Sequence, residues 1–124
     1  MEYNKDTQIT VVGVSADTKK YGHKIFRDLL KSEYDVVGVN PKGGTILDQE
    51  IATNLEEVPR ETQLLILVVP PEVGISVVRE AKDLGITNIW LQPGAESEEI
   101  VEYAKINDLN IVYDRCFMTT QGIW

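Results

Sequence analysis

Short apolar runs recur along the chain and predict the strands of a parallel sheet. Residues 9–14 form the first run, and residues 63–69 form the longest uninterrupted one. Neither run alternates with polar residues, which is typical of parallel strands that are covered on both faces. Three further runs predict strands in the same way: 35–40, 88–92 and 110–114.

Amphipathic segments lie between these runs and predict helices. In the first of them, Ile25, Phe26 and Leu29 recur at helical spacing, while basic and acidic residues occupy the opposite face. Gly85 follows the second at the position that favours a left-handed cap, and Ser97 begins the third as a capping residue. The predicted helices are 21–32, 72–84 and 97–107.

The alternation of strands and helices predicts an α/β fold, a doubly wound parallel sheet with helices on both faces. At 124 residues the chain has room for a single domain, residues 1–124. Within residues 45–58 the pattern predicts a short strand near Ile51 and a helix of one or two turns before Pro59. Residues 115–124 are not assigned to an element.

Ligands of open parallel sheets bind at the carboxyl ends of the strands, where the strand order reverses. Four unusual turns of this chain follow predicted strands, and we expect them to converge on one cleft. They are Gly13-Val14-Ser15, Asn40-Pro41-Lys42, Val69-Pro70-Pro71 and Gln92-Pro93-Gly94.

Composition and charge narrow the classes of ligand. Twelve Lys and Arg against twenty Asp and Glu give a formal charge of -8, which opposes binding to nucleic acid or to anionic membranes. One cysteine allows no internal disulfide, and one histidine without a cysteine/histidine cluster predicts no metal site. With no signal peptide and no apolar run of about 18 residues, the sequence predicts a cytoplasmic protein.

Local charge around the first turn nevertheless favours an anionic ligand. Lys20 and Lys42 fall in loops at the predicted cleft, whereas Lys24 and Arg27 are more simply a solvated helix face. The dinucleotide fingerprint with three glycines and an acidic residue after the second strand is absent. A lysine after the second strand instead favours a ligand with a phosphate on or near its ribose.

Five motifs together resemble the stand-alone CoA-binding domain family, which is similar to the amino-terminal domain of the succinyl-CoA synthetase alpha subunit. They occur in order over residues 9–118 and are more specific together than any one alone. The motifs are Val-Val-Gly-Val-Ser at 11–15, Val-Asn-Pro-Lys at 39–42, Val-Pro-Pro at 69–71, Trp-Leu-Gln-Pro-Gly at 90–94 and Asp-Arg-Cys at 114–116.

The resemblance implies a Rossmann-like fold that binds coenzyme A or an acyl-CoA. It implies that the turn 13–15 and Lys20, with Tyr21 beside it, surround the phosphates, and that residues 40–42 lie near the adenosine. It places Val69, Pro70 and Pro71 along the adenine or pantetheine, and Gln92, Pro93 and Gly94 near the thiol arm. Lys20 stands where the family often has Arg, and lysine lacks the two-pronged donor of arginine.

The resemblance does not by itself make the chain an enzyme. The synthetase reaction passes a phosphate through a histidine of a second domain and uses a separate nucleotide-binding subunit, and His23 is expected to be a surface or hydrogen-bonded structural residue. The sequence therefore predicts a non-catalytic carrier, sensor or partner module. The alternatives are an NAD(P)-dependent enzyme, a subunit of a CoA-using enzyme, or a structural domain with a vestigial cleft.

Two features near the carboxyl terminus leave alternatives open. Cys116 is expected to be an inert core residue, although Arg115 could lower its pKa and favour a mixed disulfide with CoA. The apolar residues of the unassigned tail could pack on a second copy of the chain, or on another protein partner. These are Phe117, Met118, Ile123 and Trp124.

Overall fold

Five parallel strands form the central sheet of the computed structural model, which describes residues 2–124. A separate two-stranded antiparallel hairpin interrupts the chain between the second and third of them. The strands are β1 (Gln8–Val12), β2 (Asp35–Val39), β3 (Thr45–Ile46), β4 (Gln49–Glu50), β5 (Leu64–Leu67), β6 (Asn88–Leu91) and β7 (Asn110–Val112). The order across the large sheet is β2-β1-β5-β6-β7.

The strand order reverses at β1. The chain moves from β1 to β2 on one side and then returns to place β5 on the other, so Val12 is aligned with both Val39 and Leu67. The turns that leave these three strands therefore begin at the same edge. This is the topological switch point at which such sheets bind ligands.

Helices cover both faces of the sheet. They are α1 (Tyr21–Lys31), α2 (Pro71–Asp83), α3 (Glu98–Ile106) and α4 (Phe117–Thr120). On one face α2 and α3 bury residues such as Val78 and Ile100 against Leu67. On the other, α1 and α4 bury residues such as Phe26 and Phe117. The predicted Rossmann-like, three-layer α/β fold is confirmed.

Residues 45–58 agree with the prediction only in part. Ile51 is buried but lies outside any strand, since it follows the β3–β4 hairpin, and the predicted helix is a single 3-10 turn, Leu55–Glu57. Only Ala52 pairs with β2, through an isolated parallel bridge to Val39. Two-residue strands are too short to show a period, which is why the sequence pattern indicated one strand near Ile51 and missed the hairpin.

The tail packs on its own chain rather than standing free for a partner. Phe117 and Met118 are fully buried, and Ile123 packs on the same core. The ring of Phe117 meets Trp90 edge-on at 5.1 Å between centroids. Trp124 is 45% exposed and lies against Tyr21. The expectation that this apolar segment packs on a second copy is therefore wrong for its buried residues.

None of the helices within residues 2–124 is long and apolar enough to cross a membrane.

Candidate functional site

A cleft of about 790 Å³ opens at the carboxyl ends of β1, β2 and β5. One wall is the turn after β1 with the start of α1, a second is the loop after β2 with the hairpin, and the third is α2. The lining residues are Val12–Asp17, Lys20, Val39–Ile46, Thr53–Leu55, Val68, Val69, Val73, Val77 and Glu80.

The turn after β1 depends on two glycines. Gly13 has φ +110°, and a Cβ placed there would lie 2.3 Å from the carbonyl oxygen of Val68. A Cβ on Gly22, in the first turn of α1, would lie 2.0 Å from the carbonyl oxygen of Gly13. The backbones of the turn, α1 and β5 thus approach more closely than any side chain would allow, and the amino terminus of α1 is held against the cleft.

Two side chains hold the loop 14–17 in place. The amide Nδ2 of Asn40 donates to the carbonyl oxygen of Val14 at 2.6 Å, while its Oδ1 accepts from the backbone N–H of Lys42. The imidazole Nδ1 of His23, a buried group, donates to the carbonyl oxygen of Ser15 at 2.8 Å. His23 is therefore a hydrogen-bonded structural residue, as the sequence predicted, and Asn40 ties the first two turns of the cleft together.

This corner of the cleft is suited to anions. Within residues 2–124 the backbone N–H groups of Ser15 and Ala16 form no hydrogen bond, and both residues line the cleft. Lys20 occupies the N-cap of α1 without a side-chain cap bond, and the first turn of α1 has no acidic residue. The partial positive charge of a helix amino terminus adds to the charge of Lys20, and the side chain of Lys42 is exposed across the cleft.

The opposite side of the cleft is largely apolar. Val73 and Val77 of α2 and Leu55 of the 3-10 turn line this part of the cleft. The segment beside Leu55 is fixed by Glu57, whose carboxylate accepts from the backbone N–H and the hydroxyl of Thr53. These two hydrogen bonds lower the pKa of Glu57.

The prolines of the turns after β5 and β6 lie next to the cleft. Pro70, Pro71, Pro93 and Gly94 line a neighbouring cavity of about 340 Å³. Val68 and Val69 line both the cleft and this cavity, so the two spaces are adjacent. The turns after β1 and β2 thus share the main cleft, while the turns after β5 and β6 meet beside it.

Gln92 and Tyr21 lie behind the cleft rather than in its lining. The side chain of Gln92 is fully buried, accepts a hydrogen bond from the backbone N–H of Phe117 at 2.7 Å and donates to the hydroxyl of Tyr21 at 3.0 Å. Tyr21 in turn lies 3.2 Å from the sulfur of Cys116. These residues tie the carboxyl end of β6 to α1 and α4.

Tyr21 and Gln92, together with Thr119, lower the pKa of the Cys116 thiol. Burial raises the pKa of Cys116, but hydrogen bonds from Tyr21, Thr119 and Gln92 outweigh it and lower the pKa to about 7. Burial and the neighbouring thiol raise the pKa of Tyr21. Arg115 is not among these causes. The alternative that Arg115 lowers the pKa of Cys116 therefore names the wrong residue, since the lowering comes from hydrogen bonds.

Sequence reasoning missed Gly22, Leu55 and the stripe of α2 that faces the cleft. Val73, Val77 and Glu80 are spaced by four and three residues, which places them on one face of a helix. That spacing was visible in the sequence. What the sequence did not show is that this face turns toward the cleft rather than toward solvent.

A second large groove, of about 700 Å³, lies over β6 and β7 and includes Asn88, Trp90, Asn110 and Arg115. It contains none of the predicted site residues and no helix amino terminus. The cleft at the switch point is therefore the better candidate for the ligand site.

Comparison with known proteins identifies the family of this chain. The profile of the family described as CoA binding domain matches residues 7–121. This chain belongs to the CoA binding domain family. The matched range includes every residue of the cleft and of the cavity beside it.

Individual relatives extend the comparison. The chain is 26% identical over 121 residues to the alpha subunit of acetate–CoA ligase [ADP-forming] II of Pyrococcus furiosus, covering 87% of this chain and 26% of that subunit. A conserved hypothetical protein of Pyrococcus furiosus has a similar structure, with a TM-score of 0.89 and 36% identity over 91% of this chain and 97% of that one.

A further structure, the apo acetyl-coenzyme A synthetase 1 of Ca. Korarchaeum cryptofilum, matches with a TM-score of 0.71 and 21% identity. The match covers 87% of this chain and 26% of the synthetase chain. At this identity the similarity shows the shared fold. This chain thus spans about a quarter of both ligase-type relatives but nearly the full length of the hypothetical protein.

Proposed function

We propose that this chain binds coenzyme A or an acyl-CoA in the cleft at the switch point, as one CoA-binding domain over residues 1–124. We further propose that it is a non-catalytic carrier, sensor or partner module. The observation that carries the proposal is that one cleft combines a corner suited to anions, at Ser15, Ala16 and Lys20, with an apolar wall formed by α2. Membership of the CoA binding domain family supports the same ligand.

The two halves of CoA match the two kinds of surface. Its pyrophosphate would lie against the free N–H groups of Ser15 and Ala16 and the amino terminus of α1, with Lys20 beside it. The pantetheine chain would follow Val69 toward the cavity lined by Pro70, Pro71, Pro93 and Gly94. Prolines suit an apolar slot, because they present no backbone N–H that would need a partner.

Lys42 would distinguish CoA from ligands without a ribose phosphate. It follows β2, where dinucleotide-binding folds place an acidic residue for the ribose hydroxyls. A lysine there favours a 3′-phosphate by charge. We propose Asn40 and Pro41 as neighbours of the adenosine, with Asn40 acting by holding the loop 14–17 rather than through its amide alone.

Among residues 2–124, the side chains that line the cleft favour ligand binding over catalysis, because they include no cysteine and no histidine. The titratable side chains of its lining are Asp17, Lys20, Lys42 and Glu80, and the nearest thiol, Cys116, lies behind it. The ligase relatives suggest a protein partner as well, since one of them is the alpha subunit of an acetate–CoA ligase. We propose that such a partner, where one exists, supplies the chemistry.

A panel of ligands tests the proposal. Thermal shift and isothermal titration are measured with CoA, acetyl-CoA, NAD and NADP. A ligand at 100 times its Kd stabilises the native state by about 2.7 kcal/mol, so CoA is expected to raise the Tm clearly. A rise with NAD or NADP and none with CoA would instead favour the alternative of an NAD(P)-dependent enzyme. A panel without any shift would leave a domain with a vestigial cleft.

Lys42→Ala locates the ligand within the cleft. Loss of a charge-assisted contact is expected to weaken CoA roughly tenfold and to leave dephospho-CoA almost unchanged. Lys24→Ala is the matched control, because Lys24 is exposed on α1 and lies outside the cleft lining. An equal loss for both ligands would remove Lys42 from the 3′-phosphate.

A further inference from the structure

The wall of the cleft formed by α2 changes from apolar to acidic along its length. Val73 is 46% exposed, although it is an apolar residue on an amphipathic helix, and Val77 and Glu80 continue the same stripe. Because α2 starts beside the carboxyl end of β5 and runs back along the sheet, Glu80 lies further from that edge than Val73, by about 10 Å along the helix axis. The acidic end of the stripe is thus remote from the phosphate corner.

Glu80 faces the cleft without a cationic partner. Its side chain is half-buried, and the one salt bridge among residues 2–124 joins Arg27 to Asp28. The neighbouring Arg79 lies over the ring of Tyr103, at 5.6 Å from the centroid. A carboxylate that a ligand covers needs a hydrogen-bond donor, because burial of an unpaired charge is costly.

CoA has few groups that could meet this requirement. Its phosphates would be repelled by the carboxylate and are accommodated at the other end of the cleft. The adenine base combines a flat apolar face with an exocyclic amine, which is a donor at its edge. Val73 and Val77 offer an apolar surface to the flat face of the base. Glu80, next on the same face of the helix, offers an unpaired carboxylate to the exocyclic amine.

We infer that Glu80 accepts a hydrogen bond from the exocyclic amine of the adenine, with Val73 and Val77 packed against the base. Glu80 is then the residue that selects a 6-amino purine over a 6-oxo purine, whose carbonyl oxygen would face the carboxylate. This inference rests on the proposed function, since it assigns one end of the same ligand.

A comparison of two ligands on three proteins tests it. The Kd values of CoA and of its deaminated analogue, which contains hypoxanthine in place of adenine, are measured by isothermal titration for the unaltered protein, Glu80→Gln and Asp83→Asn. Asp83 is the matched control, because it removes one negative charge from the same helix at an exposed position outside the cleft lining. Circular dichroism and the Tm of each variant report on folding.

The unaltered protein and Asp83→Asn are expected to bind CoA at least about tenfold more tightly than the analogue, the effect of one hydrogen bond to a charged group. Glu80→Gln is expected to lose most of this preference, because its amide can also donate to a carbonyl oxygen. A preference that survives in Glu80→Gln, or an equal weakening of both ligands, would overturn the inference while CoA binding stands. Absence of CoA binding to the unaltered protein would overturn the proposed function itself.

Discussion

Gly13 and Gly22 show how single residues fix the geometry of the cleft. Each stands where a Cβ would overlap a backbone carbonyl oxygen, and Gly13 also has a positive φ. Gly13 was visible in the sequence as a glycine after a buried run. Gly22 was not, because its role depends on the contact between the first turn of α1 and the turn after β1.

Gly13→Ala is expected to destabilise the protein by about 3 kcal/mol or more. The substitution adds the strain of a positive φ to a steric clash, since the new Cβ would lie 2.3 Å from the Val68 carbonyl oxygen. Urea denaturation measures the change. Gly94→Ala is the control, since Gly94 also has a positive φ but nothing within 4 Å of its Cβ position, and about 1 kcal/mol is expected there. Similar losses for the two variants would mean that the close approach does not contribute.

Cys116 provides a prediction for the pH dependence of a single side chain. Its pKa is lowered to about 7, so the rate of alkylation by iodoacetamide is expected to rise with pH to a plateau, with a midpoint near that value. Tyr21→Phe removes one hydrogen bond to the sulfur, and the midpoint is expected to move to higher pH. Thr120→Val, an exposed change in α4, is the control. A midpoint that stays in place in Tyr21→Phe would show that the phenol does not stabilise the thiolate.

At the scale of elements, the amino termini of α1 and α3 differ in capping and in the charge of their first turns. The side chain of Ser97 accepts from the backbone N–H of Ile100 and two glutamates follow, so α3 satisfies its own terminus. Lys20, at the N-cap of α1, makes no such hydrogen bond, and the first turn of α1 contains no acidic residue. The amino terminus of α1 opens into the cleft instead. The sequence predicted both helices and the cap of α3. It also placed the basic residue at the start of α1.

Ser97→Ala is expected to reduce the free energy of unfolding by about 1 kcal/mol, because one orphan N–H of α3 loses its acceptor. The affinity for CoA is expected to be unchanged, since Ser97 lies outside the cleft lining. Ser76→Ala, at an exposed position within α2, is the control and is expected to change stability by less than about 0.5 kcal/mol. Equal effects at both positions would argue against the cap.

At the scale of the whole molecule, the tail closes the α1 side of the sheet. Phe117 is fully buried against Trp90, and its backbone N–H is bound by the fully buried Gln92. The motif around Gln92 was found from the sequence as a candidate ligand-binding turn. Its side chain instead joins three elements, whereas Pro93 and Gly94 of the same turn reach the cavity beside the cleft.

Phe117→Ala is expected to cost about 3–5 kcal/mol, because a large cavity forms under the sheet. Trp124→Ala, a change at an aromatic residue that is 45% exposed, is expected to cost much less. Both are measured by denaturant unfolding with the protein concentration varied. A small loss for Phe117→Ala, or a stability that depends on concentration, would support packing of the tail on a second copy.

The sequence by itself determined the five strands of the central sheet, the helices α1, α2 and α3, and the family motifs, because buried strands, amphipathic helices and caps are local patterns that repeat within a few residues. Only the tertiary structure decided which turns share the cleft, that Gln92 is buried behind it, and that Val73 and Glu80 face into it. Those facts depend on the strand order and on the rotation of each helix about its axis. Both are set by packing between segments far apart in the chain, so a pattern within a few residues does not reveal them.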